Sequence, residues 1–69
     1  MLQIGDKCTV HVDWGNQTLL RNRRAQIVKF QQHGAQTFVK IFWIGKYAQK
    51  LEDEFGLLFE IENLQKIKG

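Results

Sequence analysis

The sequence predicts an all-β domain, a small barrel of about five short strands built around one hairpin. Two observations carry this. RRAQIVKFQ and AQTFVKIFW are runs of Val, Ile, Phe, Thr and Trp joined at QHGA, where Gly34 supplies a turn. Such residues suit a pleated, half-buried surface. The segments on either side alternate apolar and polar residues with a period of two, the signature of strands with one buried face. A hairpin this apolar needs cover from those neighbours. The 69 residues fit a single domain spanning 1–69, and a chain of this size buries only roughly 60% of its unfolded surface.

Asp6 to Trp14 reads as the first strand, with Cys8, Val10, Val12 and Trp14 on one face and Lys7, Thr9, His11 and Asp13 on the other. Gly5-Asp6 and Gly15-Asn16 bound it as turns. Asn16 to Asn22 is a polar loop broken only by Leu19 and Leu20, and it runs into Arg21, Arg23 and Arg24. In the second strand Ala25 and Ile27 share a face, so Val28 and Phe30 require either the opposite face or a bulge near Val28. In the third, Val39, Ile41 and Trp43 oppose Phe38, Lys40, Phe42 and Ile44. KYAQKLEDEFG places Tyr47, Leu51 and Phe55 at helical spacing, which predicts either a short helix or an irregular insert before the fourth strand. LLFEIENL then alternates, with Leu57, Phe59 and Ile61 inward, and a tight turn at Asn63-Leu64 leads to a last strand over 65–68. Val10, Ile27, Val39, Ile41, Phe59 and Ile61 form the expected core.

Composition narrows the class of function. No apolar run approaches the ~20 residues of a membrane span, and MLQIGDK lacks the basic and apolar regions of a signal peptide. A single free cysteine, Cys8, then leads us to expect a reducing, cytoplasmic setting. Cys8, His11 and His33 fall short of a four-ligand zinc set, so neither a metal nor a cofactor is expected. Residues 1–50 carry eight Lys or Arg against two Asp, and residues 51–69 carry two Lys against five acids. The net charge of +3 thus hides a basic part and an acidic part, and a basic face attracts polyanions or acidic partners.

Five short strands, a long loop after the first and a tight turn before the last resemble the SH3-like barrel, particularly its Tudor and KOW branches. GDKC is similar to the opening of many Tudor domains, RAQIVKF to their second strand, FVKIFWIGKY to a third strand entering a glycine turn with an aromatic, and EIENLQKI to their closing strands. The resemblance covers nearly the whole chain through short, tolerant motifs. It implies an aromatic groove of Trp14, Trp43 and Tyr47 with Gln49 beside it, the place where Tudor domains hold a methylated side chain by cation–π attraction. Arg23 departs from that pattern, since a guanidinium there repels a cationic guest. A second likeness, to plasmid-type dihydrofolate reductases, which work as tetramers, rests on the GDK start and the closing turn. Their Val-Gln-Ile-Tyr run is replaced here by Leu58-Phe59-Glu60-Ile61, which argues against that activity.

Catalytic arrangements are hard to assemble. His11 and Asp13, two apart on one strand, stand about 7 Å from each other, too far for a direct hydrogen bond. Glu52, Asp53 and Glu54 lack the glycine-turned loop of a calcium site, and no phosphate-binding glycine loop is present. The expectation is therefore a non-enzymatic binding module. Arg21, Arg23, Arg24, Lys29, Lys40, Lys46 and Lys50, interleaved with Phe42, Trp43 and Tyr47, form the pattern in which cations track phosphates while aromatic faces stack bases. Nucleic acid is the first expected partner. The alternative is a protein partner, met through a strand edge or the aromatic groove. Apolar residues on both faces of the hairpin also predict a homo-oligomer.

Overall fold

In the computed structural model, which describes residues 1–68, the elements run β1 (Lys7–Val10), α1 (Gln17–Leu20), β2 (Arg24–His33), β3 (Gln36–Trp43), α2 (Ala48–Phe55), β4 (Leu58–Glu60), a 3-10 turn (Ile61–Asn63) and β5 (Leu64–Lys66). Gly69 lies outside the described residues. All five strands join one antiparallel sheet in the order β4–β3–β2–β1–β5. The edge strands β4 and β5 pair with β3 and β1, and not with each other, so the sheet is open rather than closed into the expected barrel.

The β2–β3 hairpin is the expected centre. Gly34 turns it with φ of 61°, a left-handed value that glycine takes without a steric penalty. The register slips between Ile27, opposite Ile41, and Lys29, opposite Lys40. Val28 is the extra residue, and this bulge resolves the mismatch in the sequence: it returns Phe30 to the core side, opposite buried Val39. Without it, Phe30 would face away from Ile27 and its ring would lose its contacts with the core.

One core cluster lies on that face. It joins Cys8 and Val10 of β1, Leu20 of α1, Ala25 and Ile27 of β2, Val39, Ile41 and Trp43 of β3, Leu51 and Phe55 of α2, Phe59 of β4 and Leu64 of β5. The 46–56 segment takes the helical alternative. Leu51 and Phe55, four apart, point down onto the sheet, while Tyr47 and Ala48 pack at its edge. Gly56, at φ of 81°, ends α2, and its carbonyl accepts a 2.9 Å hydrogen bond from the Trp43 indole. An aromatic series continues from this contact: Trp14 to Phe55 at 5.3 Å, Phe55 to Trp43 at 6.3 Å and Trp43 to Phe59 at 5.9 Å.

Four expectations about single elements need correction. The closing turn is the 3-10 turn Ile61–Asn63 and the last strand is Leu64–Lys66, rather than a turn at Asn63-Leu64 and a strand over 65–68. The first strand stops at Val10 rather than Trp14, because the chain leaves the sheet after the His11 amide bonds to the Asn63 carbonyl. Ile61 is 38% exposed rather than core, since the 3-10 turn breaks the alternation after Phe59 and gives the inward place to Leu64. The polar loop contains a single helical turn, α1, capped by Asn16, whose side-chain oxygen accepts from the Leu19 amide at 3.1 Å. That turn buries Leu20 and aims the arginines that follow.

Candidate functional site

The turn after α1 builds the site. The Arg21 amide donates to the Gln17 carbonyl and the Arg23 amide to the Leu20 carbonyl. Between them Asn22 takes φ of 60°, a left-handed conformation that asparagine tolerates better than most residues. The reversal sends Arg21 and Arg23 to adjacent positions on the surface. Arg23 Nε donates a 3.0 Å hydrogen bond to the Leu19 carbonyl, which fixes the guanidinium. Its carbon centre then stands 4.5 Å from the centroid of the Tyr47 ring, stacked over it. Lys46 and Lys50 approach the same ring at 5.4 and 5.7 Å. Three cations from two distant parts of the chain therefore meet on one phenol ring.

No carboxylate answers them. Lys66 and Asp6, 3.5 Å apart, make the one ion pair among the described residues. Acidic groups have other work: Glu54 accepts from the Asn16 amide at 3.0 Å, and Asp53 and Glu52 accept from the Gln49 side chain. Glu60 is held protonated to higher pH than an ordinary carboxyl, first by a hydrogen bond with Glu62, then by desolvation and the Glu62 charge. Helix α2 also runs against the usual order. Lys46 and Lys50 flank its amino end while Glu52, Asp53 and Glu54 occupy its later turns, the reverse of what the helix dipole favours.

Two shallow grooves meet at Asn22 and Arg23. One, of about 240 Å³, is bordered by Lys7, Arg23, Arg24, Ile44 and Gly45. The other, of about 330 Å³, is bordered by Arg21, Arg23, His11, Gln17 and the edge of β1. Neither has an acidic residue in its lining. His11 does not face Asp13; its Nε2 lies 2.7 Å from the Thr9 hydroxyl instead.

The geometry divides the residues that sequence alone groups together. Arg21, Arg23 and Arg24 border the grooves, Lys7 joins them through the β1–β2 pairing, and Lys46, Lys50 and Tyr47 meet this surface at Arg23. Lys29 and Lys40 stand opposite each other on the outer face of the hairpin. The aromatic groove does not assemble. Trp43 is buried against Phe55 and Phe59, Trp14 covers Phe55, and Tyr47 sits at the other end of α2, eight residues or about 12 Å away along the helix. Gln49 is engaged with Glu52 and Asp53. Arg23 occupies the Tyr47 face that a cationic guest would need.

Nucleophilic chemistry finds no support in Cys8. Burial, and then the Asp6 charge, raise its thiol to about 11, far from a reactive thiolate at neutral pH. Among the described residues no three His, Cys, Asp or Glu side chains converge as metal ligands, and no helix is long and apolar enough to cross a membrane. Compared with family models, curated proteins and solved structures, the chain matches none.

Proposed function

We propose that this chain is a non-enzymatic binding module with an SH3-like architecture, and that it holds nucleic acid through the basic surface around Asn22. The strand order and the 3-10 turn between β4 and β5 support the architecture. The observation that carries the function is the meeting of Arg23, Lys46 and Lys50 on Tyr47, with no carboxylate partner and with grooves leading to Arg21, Arg24 and Lys7. Unpaired cations arranged along a groove attract a chain of phosphates, and counterion release makes that attraction favourable. The Arg23 stack on Tyr47 favours this reading over a Tudor-like guest, which would need the ring face free.

Arg21 and Arg24 are both exposed and make no side-chain hydrogen bond among the described residues, so Arg21→Glu with Arg24→Glu tests the surface without disturbing the core. Fluorescence anisotropy with a labelled 12-nucleotide DNA or RNA at low salt should show at least roughly tenfold weaker binding, with an unchanged melting temperature. Unchanged affinity in that double variant contradicts the proposal.

A second reading, contact with a protein partner or with further copies of the chain, is favoured by one observation: Phe42, Ile44 and Leu58 remain exposed at 54%, 40% and 46%. Helix α2 covers the opposite face, so the strip stays uncovered within one chain. Sedimentation at micromolar concentration separates a self-associating module from an 8.1 kDa monomer.

A further inference from the structure

The outer face of the sheet carries a strip that meets the basic grooves only at its Ile44 end. Phe42 on β3 and Ile44 just past its end alternate with buried Ile41 and Trp43, and therefore point away from the core. The bulge at Val28 fixes what stands beside them. It sets Lys29 opposite Lys40, with Leu58 opposite Lys40 on the other side, while Gln26 stands opposite Phe42. The Ile44 amide donates to the Arg24 carbonyl, so Arg24 flanks the far end of the strip. Residues two apart on a strand are about 7 Å from each other. The exposed Phe42 ring is thus bracketed by Lys29 and Lys40 one step away and by Arg24 one step in the other direction.

Two acidic groups lie along the opposite long side. Glu52 borders the depression beside Phe42 next to α2, and Glu60 stands opposite Phe38 on β4. The face is therefore polarised across its width, cationic toward β2 and acidic toward β4 and α2, with the ring between. Like charges placed directly opposite destabilise a sheet, and Lys29 and Lys40 keep that arrangement with no ion pair among the described residues. Cations without ion-pair partners beside an exposed ring complement a ligand that carries anionic and aromatic groups together. A duplex offers phosphates but keeps its base faces stacked, whereas a single strand offers both at once.

We infer that this outer face binds single-stranded nucleic acid, with Phe42 stacking on a base while Arg24 and Lys29 of β2 and Lys40 of β3 follow the phosphates. The inference rests on the nucleic-acid reading above and adds a second surface to it. The two surfaces are continuous, since Arg24 and Ile44 also border the groove of Lys7 and Arg23. Glu52 and Glu60 repel the backbone from the other side and so set which edge of the strand faces the ring.

The test compares a labelled 12-nucleotide single strand with a duplex of the same sequence by anisotropy at one low salt concentration. Wild-type protein should prefer the single strand. Phe42→Ala, a change at a half-exposed position that leaves the core intact, should weaken single-strand binding about tenfold and leave duplex binding unaltered. Phe42→Trp should restore the preference, and a matched melting curve for both variants excludes unfolding as the cause. Equal affinity of wild type and Phe42→Ala for the single strand overturns the inference while leaving the basic grooves in place. A Phe42→Ala change that dissolves a dimer in sedimentation, with nucleic-acid binding intact, assigns the strip to self-association and also overturns it. Binding of neither probe by wild type removes this inference and the nucleic-acid reading together.

Discussion

At the scale of single residues, Arg23 and Cys8 show how burial and hydrogen bonding set what a side chain does. Arg23 is held by the Leu19 carbonyl and by the Tyr47 ring, so its charge is placed before any ligand arrives. Cys8 is wholly buried beside Ala25, its partner on β2, and its thiol is pushed up to about 11. The unfolded thiol ionises near its ordinary value of 9.0, so between these values the unfolded chain binds fewer protons than the native one. Stability is therefore fully present below pH 9 and falls as pH rises toward 11. Cys8→Ala should flatten that alkaline loss in denaturant titrations at pH 8 and pH 10.5, and an equal slope in both proteins would place the thiol in water. Ile41 lies fully buried at the centre of the core. Ile41→Ala should cost roughly 2–5 kcal/mol in chemical denaturation, a large part of what so small a domain holds.

At the scale of elements, helix α2 carries the sharpest conflict between stability and site. Cations flank its positive end and acids its negative end, and each such placement opposes the helix dipole. Lys46→Glu should raise stability by roughly 0.3–1 kcal/mol while weakening nucleic-acid binding, two effects of opposite sign read from a melt and a titration on one sample. A loss of stability in Lys46→Glu would mean that the lysine supports the Tyr47 contact rather than a ligand. The same elements mark what the sequence made legible. The hairpin was readable because Val, Ile and Phe alternate on both arms, and the bulge because Ile27 and Phe30 differ in parity. Helix α2 stood level with a loop, since eight residues give little more than two turns of periodicity. The turn of α1 has no periodic signal because four residues are too few for one, although Asn16 three places before Leu19 is a capping signal. The overlong first strand came from Val12 and Trp14, which keep the alternation while packing on the core from outside the sheet.

At the scale of the whole molecule, the uneven charge of the two parts of the chain becomes a spatial division. Lys7, the arginine turn and the start of α2 form the basic surface, while five of the seven acids lie on later turns of α2 and at the β4 end. Sequence places all seven cations on one surface; the fold sends Lys29 and Lys40 to another, because Lys40 alternates with buried Val39 and Ile41 and the bulge that repacks Phe30 turns Lys29 to the same face. Trp14 and Trp43 left the site for a comparable reason: their large apolar faces complete the packing around Phe55. The central claim, that the basic surface binds nucleic acid, is tested most directly by its salt dependence. Anisotropy titrations of a single-stranded 12-mer across a series of salt concentrations should give a log–log slope of about −3 to −4, corresponding to four to six neutralised phosphates at about 0.7 each. A slope near zero, or no binding at the lowest salt, would contradict it.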